Sequence, residues 1–144
     1  MIAMAGWCWM PPRELLIELA LSWLDKAKGD LEFAYAGRAH ERAPGWGIAF
    51  HCQQAVEKSL KGAITLHDVE VPRTHDVVRL RAALLDLGTA FPLVDEEVQA
   101  LLPFAVDDRY PRLTLSDVSR VDALELLPVA ERAVAWLDGV LRDR

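Results

Sequence analysis

Phe50-His51-Cys52-Gln53-Gln54-Ala55-Val56-Glu57-Lys58-Ser59-Leu60-Lys61-Gly62 is the stretch on which the reading of this chain turns. Within a block from about Trp46 to Leu66, Ile48, Cys52, Ala55, Val56, Ser59 and Ala63 recur at helical steps. That is the spacing of one side of an α-helix. Most of these side chains are small, so a neighbouring helix can come close; Leu60 and Ile64 widen the apolar arc. At about 100° per residue, His51, Gln54, Lys58 and Lys61 share the opposite arc, with Glu57 at its edge. Gln53 falls on the apolar side near Leu60 and Ile64, where an amide needs partners. The polar arc has two readings. An imidazole, an amide and two amines all donate to phosphate oxygen. Alternatively it is a solvated face on which Glu57 bonds Lys61 one turn on.

Working outward, Pro and Gly divide the rest of the chain into further helical blocks. Upstream, Leu16, Ala20, Trp23, Leu24, Ala27, Leu31 and Ala34 form one stripe over about Arg13 to Gly37, entered through Pro11 and Pro12. Downstream, Thr74 is a candidate N-cap with Asp76 in the first turn of a helix from about His75 to Leu87, closed by Gly88. A fourth block runs from about Leu93 to Arg109, kinked or divided by Pro103 and stopped by Pro111. Ser116, Asp117 and Ser119 are candidate caps for a fifth, ending near Arg142. Its stripe is Val121, Leu124, Leu127, Ala130, Val134, Leu137 and Leu141, with a bend expected at Pro128. No alternating run is bounded by hairpin turns, so the fold class is all-α: an up-and-down bundle of four to five helices.

At 144 residues the chain suits one domain, residues 13–144, that needs no disulfide or metal to fold. Residues 1–12, apolar but short and without a charged start, read as a loosely docked or disordered tail, or as an upstream start ahead of Met10. No run is long and apolar enough for a membrane span, and a reduced, cytoplasmic setting is the expectation for two cysteines, Cys8 and Cys52, without paired spacing. Cys52 reads as a small buried apolar group. The 16 Lys and Arg against 22 Asp and Glu give a formal charge of −6, which argues against non-specific nucleic-acid binding. From His51 to Arg81, however, five cations face four anions, leaving room for a local contact with nucleotide or RNA.

Two other clusters bear chemistry. His75-Asp76 is either a proton-transferring or ligand-orienting pair, or a helix cap. Asp107-Asp108-Arg109-Tyr110-Pro111 offers Arg109 as a bidentate phosphate clamp, two carboxylates for a metal, or a salt-bridged helix end in which they pair with Arg109 and Arg112. The four histidines show no two-His metal spacing, and there is no phosphate-cradling glycine loop, so no metal or cofactor is expected.

Taken in order, the Ala20–Trp23–Leu24–Ala27–Asp30–Leu31–Ala34 helix, then FHCQQAVEKSLKG, then Pro72-x-Thr74-His75-Asp76, then Arg109-Tyr110-Pro111 resembles the HEPN domain, named for higher eukaryotes and prokaryotes nucleotide-binding. The resemblance covers nearly the whole chain from about Arg13. It implies a bundle of four to five helices, a homodimer, and pairing with a minimal nucleotidyltransferase in a toxin–antitoxin arrangement. Several such proteins are metal-independent ribonucleases whose site joins an Arg, a polar residue and a His a few positions later. Here Arg109 stands where that Arg belongs, but Arg112, Leu113, Thr114, Leu115 and Ser116 fill the positions that should supply the His. The resemblance therefore implies a partner of a nucleotidyltransferase that binds nucleotide or RNA without cutting it. The alternative is an RNA-cleaving toxin using Arg109, Tyr110 and a displaced base such as His75 or His51; a third is a structural dimerisation module. Expected ligand-binding residues are His51, Gln54, Glu57, Lys58, Lys61 and Asp76. The polar strip of the second helix and the Arg109-Tyr110 corner are expected to open toward one hollow.

Overall fold

The computed structural model describes residues 12–105 and 118–144, and no strand occurs among them. Among the described residues the helices are α1 (Arg13–Ala39), α2 (Gly45–Thr65), α3 (Val77–Asp86), α4 (Asp95–Gln99) and α5 (Arg120–Arg142), with a 3-10 turn at Leu102–Phe104. Apart from Pro12, which precedes the first turn of α1, the expected N-terminal tail lies outside the described residues.

Helix α2 is the axis of the bundle: 14 of its 21 residues are buried. The residues expected on its inner side are all buried, and so are Leu60 and Ile64. Its small residues let other helices close in. A Cβ on Gly62 would lie 2.8 Å from a Leu137 methyl of α5 and 3.1 Å from Trp23 Cβ of α1. A Cβ on Gly45 would strike the Val118 and Ser119 backbone at 2.8 to 2.9 Å. These contacts fix directions. Gly45 meets Ser119 and Gly62 meets Leu137, so α2 and α5 run parallel. Arg120 bonds the end of α1 while Lys28 pairs with Asp138, so α1 runs against both. The chain returns between α2 and α5 through α3 and α4, as an up-and-down order requires.

The apolar stripe of α1 is Ala20, Leu24, Ala27, Leu31 and Ala34, the alternating four- and three-residue step of a helix seam. Asp30 is buried among them. In α5 the buried set is Ala123, Leu127, Ala130, Ala133, Val134, Leu137 and Leu141. Val121, expected on that stripe, is 69% exposed because Ala123 takes the inward place in the first turn. Ser119 caps α5, its hydroxyl accepting from the Asp122 amide at 3.0 Å; Ser116 and Asp117 lie outside the described residues. Pro128 sits within α5, and the helix continues through it. The proline is on the exposed side, where water can satisfy the carbonyl it leaves free.

Two boundaries differ from the sequence expectation. Helix α3 begins at Val77, capped by Asp76, whose carboxylate accepts from the amides of Val78 (2.9 Å) and Arg79 (3.1 Å). Thr74 instead accepts from the Asp76 amide at 3.1 Å, one step earlier in the same turn. The fourth block is much shorter than its expected span. Acidic Asp95, Glu96 and Glu97 open α4 favourably, and Glu97 Oε1 accepts from the Val94 amide, but the helix ends at Gln99. Pro103 falls in the following 3-10 turn, so it divides the block as expected. The remainder of that block, Val106–Arg109, lies outside the described residues.

Candidate functional site

Two buried carboxylates organise the polar edge of α2. The first is Asp30 of α1. Seven residues separate His51 from Lys58, two helical turns, so both side chains reach the same neighbour. His51 Nδ1 lies 2.9 Å from Asp30 Oδ1, and Lys58 Nζ donates to Oδ2. A carboxylate only accepts, so the His51 proton sits on Nδ1 and Nε2 is left for another partner. The His51 ring stacks on Phe33, centroids 4.7 Å apart and planes 12° from parallel, and Phe50 meets it edge-on at 5.1 Å.

The second carboxylate is Glu57. Its Oε1 accepts from Lys61 Nζ at 2.8 Å and from His75 Nδ1 at 2.9 Å. Its Oε2 accepts from Gln53 Nε2 at 3.0 Å and Gln54 Nε2 at 3.3 Å. Gln53 is fully buried yet complete: its Oε1 takes the Gln54 amide at 2.7 Å, and its Nε2 also reaches the His75 carbonyl at 3.1 Å. That last bond ties the loop before α3 to the middle of α2. The loop can turn back because Asp68, just after α2, adopts a left-handed conformation (φ 55°) that aspartate tolerates. Burial pushes the Glu57 carboxyl up, but hydrogen bonds from Lys61, Gln53 and His75, with the Lys61 charge, outweigh it and hold Glu57 below its ordinary range.

The structure therefore gathers the expected residues into a polar layer of two clusters along α2: His51 and Lys58 on Asp30, and Gln54, Lys61 and His75 with Gln53 on Glu57. It is not a solvated face: the Lys58 and Lys61 side chains keep 21% and 12% of their exposure. Asp76 stands apart as the α3 cap. Arg109 and Tyr110 lie outside the described residues, so the shared hollow expected between them and α2 does too. Asp30 carries half of the layer, yet in the sequence it stands out only as one letter of a family string. The signal for it was positional, a carboxylate three residues from Ala27 and four from Ala34 on an otherwise apolar stripe. Phe33, which supports His51, gave no sequence signal.

Chemically, the layer is balanced: two lysines against two carboxylates, with two histidines whose outer nitrogens are not engaged by those acids. His75 keeps 46% of its side-chain exposure, with Nδ1 fixed on Glu57. No group of three or more His, Cys, Asp or Glu among the described residues is arranged to hold a metal ion. Cys52, fully buried beneath the layer, is a free thiol pushed up to about 12, by burial first and by the Glu131 charge second. It is not a nucleophile near neutral pH. Among the described residues no helix is long and apolar enough to cross a membrane.

The HEPN domain family model matches residues 20–140, and the chain belongs to the HEPN family. Among solved structures, the crystal structure of an archaeal HEPN homologue is similar, with a TM-score of 0.58 and 22% identity over 85% of this chain and 97% of that one. At that identity the likeness concerns the fold. No curated protein sequence matches the chain.

Proposed function

We propose that this HEPN chain is a non-cleaving binding module for nucleotide or RNA, working as a homodimer and as the partner of a minimal nucleotidyltransferase in a toxin–antitoxin pair. The observation that carries the binding reading is the closed pairing of the α2 layer. Lys58 and Lys61 are each held by a buried carboxylate of the same chain. Cleavage of RNA without metal needs a base and an acid beside the 2′-hydroxyl, and Arg112, Leu113, Thr114, Leu115 and Ser116 fill the positions after Arg109 that should supply the family's His. The layer supplies ordered donors and exposed ring edges, which suit recognition. The nucleotidyltransferase, the pairing role and the dimer rest on membership of the family and on the succession of motifs that runs from α1 to Arg109.

One observation favours a second reading. A carboxylate behind Nδ1 with Nε2 facing outward, as in Glu57–His75, is the arrangement of an oriented general base. With Arg109 it would make an RNA-cleaving toxin. The two readings separate in one experiment: labelled RNA incubated in EDTA with the wild-type protein, Arg109→Ala and His75→Ala. Retention of intact RNA in a mobility shift is the expected result. Cleavage that either substitution abolishes would overturn the binding-only reading.

A further inference from the structure

We infer that the groove between α1 and α5 is a binding site for a small organic cation, an alkyl ammonium or alkyl guanidinium whose charged head seats against Glu131. The site shares no residue with the α2 layer and is independent of the nucleotide-binding reading. The groove holds about 380 Å³, at the low end of what suits a small ligand. Leu31 of α1 and Val134 and Ala135 of α5 give it an apolar lining. At one end Lys28 pairs with Asp138 at 3.3 Å, and Arg142 holds the same carboxylate at 2.8 Å. That end is electrically closed. Tyr35, Glu32 and Glu131 stand at the other.

Glu131 decides the class of ligand. The buried carboxylates Asp30 and Glu57 are each met by a lysine and a histidine. Glu131 is half-buried, yet among the described residues no cation pairs with it, and the Tyr35 hydroxyl is its donor. Its charge is felt on neighbouring groups. Burial first and the Glu131 charge second push the Tyr35 phenol up, as they do the Cys52 thiol. Glu32 adds a second unpaired carboxylate at the same end. Arg38 lies over the Tyr35 ring, 5.0 Å from its centroid, and pairs with neither acid. The aromatic face at the groove mouth therefore already accepts a guanidinium. A metal ion fits less well, since no group of three or more His, Cys, Asp or Glu among the described residues is arranged to hold one. A charge carried on a methylene stem uses both features: the stem covers the apolar lining, and the head meets the acid.

Calorimetric titration of the full chain at fixed ionic strength tests this, with butylguanidinium chloride as the probe and guanidinium chloride as the same head without a stem. The wild type should bind one butylguanidinium, about tenfold or more tighter than guanidinium. Glu131→Gln keeps the side-chain shape and an acceptor for Tyr35, and should weaken binding by about tenfold or more. Ala135→Leu fills the groove from an exposed position, so it should weaken binding severalfold with an unchanged urea midpoint. Glu125→Gln removes a charge from an exposed position of α5 outside the groove and should leave affinity unaltered. Absence of saturable binding to the wild type overturns the site. So does equal affinity for the two probes, unchanged affinity in Ala135→Leu, or equal weakening by Glu125→Gln and Glu131→Gln, which is attraction to overall negative charge alone.

Discussion

Among single residues, Glu57 shows how far local chemistry can depart from a surface reading. A glutamate four residues before a lysine on a helix suggests an exposed ion pair worth a few tenths of a kcal/mol. Here the same pair is buried, and Gln53, Gln54 and His75 complete the carboxylate. Glu57→Gln keeps the shape but leaves Lys61 without its counter-ion, and should cost about 2 kcal/mol in urea unfolding at neutral pH. The sign of the pH effect follows from the direction of the shift. The folded carboxyl lies below its ordinary value of 4.5, so the stability it adds is complete above that value. It is lost as acid carries the solution down through the folded value. Unfolding midpoints measured from neutral pH down to the acid limit should fall more steeply for the wild type than for Glu57→Gln. Parallel curves would show that Glu57 is not the group responsible.

At the level of the helix, two glycines make opposite predictions from the same backbone conformation. Gly29 in α1 has open space around its Cβ position, and Gly62 in α2 has a Leu137 methyl at 2.8 Å. Gly29→Ala should stabilise the protein by up to about 1 kcal/mol through helix propensity alone. Gly62→Ala has the same propensity gain but must displace the buried Leu137 side chain and press on Trp23 Cβ at 3.1 Å, and should be net destabilising by about 1 kcal/mol. Thermal or urea unfolding of the two variants side by side checks this; equal signs would mean the helices are not as closely packed at Gly62 as described. The elements also show what sequence periodicity can reach. The three long helices were legible because each repeats its apolar side over five turns or more, and their ends fell within two residues of expectation or at a recognised cap. Helix α4 was not, because five residues complete too few turns to display a period. The His75 contact with Glu57 was invisible for another reason: it joins positions 18 residues apart through a loop, and no local spacing encodes the turn at Asp68 that brings them together.

For the molecule as a whole, the family string from Ala20 to Pro111 points to the fold, while the meeting of its polar residues depends on how α1 lies along α2. That alignment is held at one end by Arg120. Its guanidinium donates to the carbonyls of Gly37 (2.9 Å), Arg38 (2.6 Å) and Ala43 (3.2 Å), joining the last turn of α1, the following loop and the first turn of α5. The carbonyls at a helix end lack intrahelical donors, so the interaction serves α1 as a cap supplied from another helix. Arg120→Ala should cost about 1–2 kcal/mol, and Arg120→Lys should recover little, because one ammonium cannot span three acceptors. Urea midpoints for both variants decide the matter: full recovery by lysine would mean that charge alone suffices.

Asp30 links the interior to the surface in a way that sets a trade-off. One carboxylate restrains both His51 and Lys58, and it is the reason these two donors do not present net positive charge outward. Neutralising it as Asp30→Asn would raise the formal charge from −6 to −5 and leave Lys58 without its counter-ion. The molecule would then hold polyanions more tightly and less selectively while folding less well. Sequence drift at this one position could thus exchange durability for stickiness.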